Sequence, residues 1–346
     1  MKKVTIQDIA DALGISRNTV SKAINNADGL ADATREKILQ KAVEMGYKQF
    51  SYVSALNGFS VPGLATAEEP GFAGEIALLT TTFFTQSHFA SVMLDRFHQE
   101  LSQAGYVLNT HRVDQDHIEN LSLPITFVKE RVCGIVCIEM FDRAYDEMVC
   151  SLGIPVLFVD GPNKSSGESL PCDQLYMDNS AEITRFVNEM LSRGKRRIGF
   201  IGNWEHCQSF YERYTAFRCA MLMAGVPVDE LYCIKGNVAS QMEPQLSALL
   251  QMPDVFICAN DFVAIEAIEL LKRQGVRVPE DVLFCGFDDS PESRRFTPPL
   301  TTIHIHTQIM AYSAAYLLLS RIKEPSLDFR TVHTETYLIE RKSTEG

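Results

Sequence analysis

Arg17 and Asn18 stand side by side at the head of the run Arg17-Asn18-Thr19-Val20-Ser21-Lys22-Ala23-Ile24. Their chemistry suits the reading of base edges. Arg donates a fork of N–H groups that fits O6 and N7 of guanine, and Asn pairs in the same two-point way with N6 and N7 of adenine. Lys22 adds a charge suited to phosphate. Val20, Ala23 and Ile24 recur at three- and four-residue spacing, so the run is expected to be a helix with those three inward. Arg17, Asn18, Ser21 and Lys22 then face outward. The bland alternative is a small three-helix module for binding protein, with the same polar residues merely solvated.

Such a helix needs neighbours to hold it. Ile6, Ile9, Ala10 and Leu13 form one apolar stripe, and Thr5 with Asp8 three residues on has the pattern of a helix N-cap. Gly14-Ile15-Ser16 is a tight turn in which Gly relaxes the backbone and Ser16 caps the following helix. Two short helices joined in this way make a helix-turn-helix, whose second helix would lie in the DNA major groove. Residues 31–47 complete the bundle, with Asp32 as N-cap, Gly46 as stop, and Ile38, Leu39, Ala42 and Met45 between them.

The run VTIQDIADALGISRNTVSKAINN, followed by TREKILQKAVEMGY, resembles the N-terminal domain of the lactose/galactose repressor family of bacterial transcription regulators. The similarity is long and gap-free. With the helix-turn-helix reading it implies a DNA-contacting set of Thr5, Ser16, Arg17, Asn18, Thr19, Ser21, Lys22, Asn25 and Thr34. It also implies a hinge segment that turns helical on operator DNA and wedges Leu56 into the minor groove, where apolar wedges kink the duplex. The chain departs from the family there: Gln49 replaces the usual Pro, Val53 a usual Ala, and Phe50 and Tyr52 are uncommon. Residues 59–74 (FSVPGLATAEEPGFAG) read as a linker rich in Pro, Gly and small residues. The expected domains are 1–50, the helix-turn-helix head, 51–74, hinge and linker, and 75–346, a body for effector binding and dimerisation.

The net charge is −12 over 346 residues, yet the first sixty carry eight Lys and Arg against six acids. A head at +2 on a body at −14 suits phosphate contact at one end only. Nine cysteines lack any C-x-x-C pair, which suits a reducing, cytoplasmic setting. No apolar run is long enough to span a bilayer, so no membrane is expected.

Beyond Glu75, apolar runs alternate with amphipathic stretches: Ile76–Leu79, Val132–Ile138 and Pro155–Val159, then Arg197–Ile201, Asp254–Cys258 and Val282–Cys285. Continuous apolar runs of this length read as parallel strands buried on both faces. Two such sets make two doubly wound α/β sheets, and the crevice at the strands' carboxyl ends takes ligands. Gly286-Phe287-Asp288-Asp289, Pro298-Pro299-Leu300-Thr301-Thr302-Ile303, Asp178-Asn179 and Asn260-Asp261 extend the resemblance over nearly the whole chain. It implies a two-lobed body similar to periplasmic binding proteins, crossed three times by the chain. It also implies effector contacts at Thr81, Asp160, Ser209, Arg213, Asn260 and Asp288, with His88-Phe89 as an aromatic pair opening the first helix. A stacking aromatic common in the family is missing at Gly236-Asn237-Val238, and Trp204 or Phe84 could replace it. Ile305 stands where Gln is common.

Metal, phosphate-loop and hydrolase readings find no support. His304 and His306 share a strand face without a third ligand, and neither G-x-x-x-x-G-K-[ST] nor G-x-S-x-G occurs. No cofactor, metal or catalytic residue is expected. The expected function is a homodimeric transcriptional regulator, a repressor, on double-stranded operator DNA. A small effector, sugar or nucleoside-like, would sit between the lobes. A solute-binding protein without DNA function is the alternative. No leucine-rich tail follows the last strand, so a dimer is expected rather than a tetramer.

Overall fold

Thr5 and Asp8 close a capping box: the Thr5 N–H donates to Asp8 Oδ2 at 2.7 Å, and the Asp8 N–H donates to Thr5 Oγ1 at 3.3 Å. The box opens α1 (Ile6–Leu13). The computed structural model describes residues 5–24, 30, 31, 34, 35, 37, 38, 41, 42, 45, 72–81, 88–164 and 169–345, the side chains of 24 and 88–91 excepted. Gly14 ends α1 at φ +66°, a left-handed turn that glycine adopts without strain. Ser16 Oγ then accepts the Thr19 N–H at 3.1 Å and starts α2 (Arg17–Ile24). Ile9, Ala10, Val20, Ala23, Ile38 and Ala42 are buried, and the last two sit on a third helical stretch. The head is therefore the expected helix-turn-helix. Asp32, Gly46 and the hinge with Leu56 lie outside the described residues.

The chain divides into two compact units, Met1–Glu69 and Pro70–Gly346. Among the described residues, the second contains two six-stranded sheets. The first sheet uses β1 (Gly74–Thr80), β2 (Tyr106–Arg112), β3 (Val132–Ile138), β4 (Val156–Val159), β5 (Asp173–Met177) and β11 (Thr331–Thr334). The second uses β6 (Ile198–Ile201), β7 (Cys233–Ile234), β8 (Val255–Cys258), β9 (Leu283–Asp288), β10 (Thr301–Ile305) and β12 (Thr336–Ile339). Their orders are β11-β5-β4-β3-β1-β2 and β12-β10-β9-β8-β6-β7. Every described pair is parallel except β10 with β12. Strands β1, β3, β4, β6, β8 and β9 are the apolar runs legible in the sequence, whereas the interior strands β5 and β10 were not read as such. Nor were the edges: β2 alternates exposed and half-buried residues, and β7 is only two residues long.

Helices α3 (His88–Gln103), α4 (Gln115–Glu119), α5 (Arg143–Cys150), α6 (Ala181–Ser192), α7 (Gln208–Met223), α8 (Ala239–Ser247), α9 (Asp261–Arg273), α10 (Pro291–Arg295) and α11 (Thr307–Lys323) cover the sheets. The chain passes between lobes after β5, after β10 and between β11 and β12. Two of these strands are tied where they pass: the Asp178 N–H donates to Thr334 O at 2.7 Å, and Thr336 Oγ1 donates to Asp178 O at 2.9 Å. Thus α11, although it follows a second-lobe strand, packs on the first lobe against α3. Gly134 allows that approach, because a Cβ there would lie 2.9 Å from Ile322 Cδ1 and 3.1 Å from Leu318 Cδ1. Buried Asp173 clamps the same region, receiving bonds from Arg321 and Arg330.

Candidate DNA-reading helix and effector cleft

On α2 the side chains of Arg17, Asn18 and Lys22 are exposed. They stand at the front and outer face of a helix whose opposite face, Val20 and Ala23, is buried. The expected hydroxyl contacts have local duties first. Thr5 Oγ1 donates to Asp8 Oδ2 at 2.6 Å, and Ser16 Oγ shares a 2.8 Å bond with Thr19 Oγ1. Ser21 is half-buried and Thr34 exposed. Asn25 and Leu56 lie outside the described residues.

The cleft is built from strand ends. Glu139 follows β3, Asp160 follows β4, and Asp288 closes β9. All three hold positive φ, at 56°, 52° and 112°. A non-glycine residue in that region costs of order 1–3 kcal/mol and is held there only by its surroundings. Two of these carboxylates come from the first sheet and one from the second.

Arg213, on the first turns of α7, stands among them and is 2% exposed. Its Nε donates to Asn179 Oδ1 at 2.9 Å and its Nη1 to Ala259 O at 2.5 Å. The guanidinium lies 3.5 Å over the centre of the Phe287 ring. Burial lowers its pKa, while Asp288 foremost opposes that. Burial pushes the Asp288 carboxyl up to about 8, against the pull of Arg213 and with the added repulsion of Asp261, Glu139 and Asp160. Burial likewise raises Asp160, opposed chiefly by Arg213. Asp160 Oδ1 accepts the Gly161 N–H at 3.0 Å and, across the lobes, the Ser209 N–H at 3.2 Å.

Other expected contacts take different parts. Ser209 meets the cleft through its backbone; its hydroxyl turns to Met177 Sδ at 3.3 Å. Asn260 Oδ1 caps α9 by accepting the Val263 N–H at 2.9 Å. Thr81 Oγ1 donates to Glu139 O at 3.3 Å. The side chains of His88 and Phe89, and Phe84 altogether, lie outside the described residues. Trp204 stacks on Tyr214 at 4.3 Å and 11°, so one of its faces is already covered. His304 Nδ1 bonds Asp289 Oδ2 at 2.9 Å, and its ring packs on His306 and Tyr337. No group of three or more His, Cys, Asp or Glu among the described residues is arranged to hold a metal ion.

Residues 5–49 match the family model of bacterial regulatory proteins of the lacI family, and residues 187–344 match a periplasmic binding protein-like domain. The chain thus joins a lacI-family helix-turn-helix domain to a periplasmic binding protein-like domain. This regulator is 28% identical over 356 residues to the HTH-type transcriptional repressor PurR of Mannheimia succiniciproducens, covering 99% of this chain and 98% of that one. It is 27% identical over 349 residues to the HTH-type transcriptional regulator CelR of Thermobifida fusca, with the same shares covered. Its fold superposes on a CelR–cellobiose complex with TM-score 0.68 at 24% identity, covering 99% and 100% of the chains. It also superposes on the lac repressor dimer bound to operator and the anti-inducer ONPF, with TM-score 0.63 at 20% identity over the whole of both chains.

In this regulator four residues join the cleft that the site reading did not include: Glu139, Asn179, Glu212 and Phe287. Asn179 Nδ2 donates to Glu212 Oε2 at 2.8 Å, which orients the amide that receives Arg213. Glu139 had a legible signal, a carboxylate directly after an apolar strand run, the same signal that marks Asp160. Phe287 had none, since its place under Arg213 depends on how two lobes meet.

Proposed function

We propose that this regulator acts in the cytoplasm as a homodimeric repressor. Arg17 and Asn18 read base edges of double-stranded operator DNA, and Thr5, Ser16, Thr19, Ser21, Lys22, Asn25 and Thr34 position the helix on phosphates and sugars. A small hydroxylated molecule, a sugar or nucleoside-like compound, binds between the lobes and sets operator affinity. Thr81, Asp160, Ser209, Arg213, Asn260 and Asp288 hold it, with His88 and Phe89 on its apolar face. The observation that carries the reading is the convergence of Asp160, Arg213 and Asp288 from both sheets. Paired carboxylates accept from ligand hydroxyls and a guanidinium donates in a fork. The solved relatives that hold cellobiose or operator support the same reading. No catalytic role is assigned.

Linkage makes the coupling reciprocal: whatever factor the effector applies to operator affinity, operator DNA applies to effector affinity. A thermal-shift screen of sugars, nucleosides and amino acids tests the cleft. A ligand at 100 times its Kd should add about 2.7 kcal/mol to the body's stability. The hit is then titrated against operator binding by anisotropy. An operator affinity that ignores a proven cleft ligand would refute the coupling.

A further inference from the structure

On the first lobe a groove of about 510 Å³ runs along the later turns of α11. Pockets of this size take small organic molecules. Tyr312, Tyr316, Leu319 and Lys323 line it at steps of four, three and four residues, so a single stripe of the helix faces it. Leu327 and Arg330, from the segment that leads into β11, and Glu100 of α3 complete the walls. The groove has no part in the function above. Asp173 opens β5 and Arg330 stands just before β11, at the amino ends of strands whose carboxyl ends face the cleft.

The charge of the inner wall is uneven. Arg321 and Arg330 share the carboxylate of Asp173, which is 1% exposed. Two guanidiniums against one carboxylate leave one positive charge in excess. Arg321 directs its other N–H groups to the carbonyls of Pro325, Leu327 and Asp328. Arg330 Nε and Nη2 bond Asp173, and Nη2 also donates to Leu317 O at 3.1 Å and Ser320 Oγ at 2.9 Å. Its Nη1 bonds none of the described residues. The guanidinium is thus fixed in orientation, half-buried, with two N–H groups left over. Lys323 is exposed and forms no ion pair among the described residues. Of the acids on the rim, Glu100 is held by Arg96 at 2.6 Å, and Glu324 offsets Lys323 in number only.

We propose that this groove is a second ligand site, for a small organic anion that carries a phosphate or carboxylate on a flat apolar body. The anionic group bonds Arg330 Nη1 and meets the Lys323 ammonium, while the body lies along Leu319 and the rings of Tyr312 and Tyr316. A guanidinium already oriented by a buried carboxylate loses little freedom on receiving an oxyanion, and its bonds are charge-assisted. Tyr316 is 62% exposed, so covering its ring removes apolar surface from water. Neither half suffices alone, because exposed charges are screened by water and salt, and an open apolar wall holds a small ring weakly. One molecule that supplies both is held by both.

The test is isothermal titration of the full chain with phenyl phosphate, phenylacetate, inorganic phosphate and phenol. At least one of the two aromatic anions should saturate a single site per chain, and the tighter of them assigns the anionic group. Inorganic phosphate and phenol should each bind roughly tenfold more weakly or worse, and added salt should weaken the aromatic anion. Lys323→Gln and Tyr316→Ala, both at exposed positions, should each weaken it by about threefold. Arg330→Lys keeps the charge and loses the fork, so it should weaken binding further. Should its melt fall, the two exposed variants decide. Binding unchanged in both Lys323→Gln and Tyr316→Ala puts the anion elsewhere and overturns the proposal. Inorganic phosphate binding as tightly as phenyl phosphate means an adventitious ion only and overturns it too, as does the lack of saturable binding by either aromatic anion. The titration uses neither operator nor effector, so it stands or falls separately from the cleft assignment.

Discussion

Arg213 Nη1 stands 3.8 Å from Asp288 Oδ1, close enough for attraction and too far for a hydrogen bond, while the same nitrogen donates to Ala259 O. The cleft thus holds a buried carboxyl that its neighbouring guanidinium approaches without bonding. Asp288→Asn should abolish the thermal shift given by the cleft ligand while leaving operator binding of the free protein within a few-fold. The variant also has a pH signature. The Asp288 carboxyl is raised to about 8, so the folded state keeps a proton that the unfolded chain releases near pH 4. Its contribution is complete at low pH and is lost progressively as pH rises towards 8. Melting temperatures from pH 5 to 9 should therefore fall less steeply in Asp288→Asn than in the parent, and parallel curves would count against the raised carboxyl.

Arg17→Ala and Asn18→Ala should each relax preference at one operator base, by about 1–3 kcal/mol of discrimination. Lys22→Ala should weaken all sequences alike and reduce the salt dependence of binding by roughly one phosphate contact. A panel of singly substituted operators, measured at two or more salt concentrations, separates the two patterns. Equal losses on every base for Arg17→Ala and Asn18→Ala would return them to phosphate contact.

Trp204 is the only tryptophan of the chain, and its carbonyl accepts from Asn163 across the lobes. Its ring stacks on Tyr214. Effector binding that closes or opens the cleft should shift its emission, and Asn163→Ala should change the starting emission and the amplitude. An emission that stays constant through a saturating titration would show that the two lobes do not move at this edge.

Asp173 is 1% exposed and answers both Arg321 and Arg330. Asp173→Ala leaves Arg321, itself 4% exposed, without its carboxylate. Removing one partner of a buried pair costs about 3–5 kcal/mol. Urea unfolding of the body should move by that amount, and a change below about 1 kcal/mol would mean that the carbonyls of Leu327 and Asp328, which also receive Arg321, suffice.

The amino-acid order by itself determined every element whose signal is local. The capping box at Thr5, the turn at Gly14, the cap at Ser16 and the apolar strand runs follow from backbone satisfaction and side-chain periodicity over a few residues. It also determined which side of α2 is free, since Val20 and Ala23 had to be buried. Tertiary structure decided what depends on contacts far apart in the chain. It made a strand of Tyr106–Arg112 by edge pairing alone, and it turned the Ser209 hydroxyl to Met177 and the Asn260 amide to a helix cap. It also brought Glu139 into the surroundings of Asp288 and Phe287 under Arg213. Side-chain direction at a cleft is fixed by two lobes meeting, and no periodicity within one segment encodes that meeting.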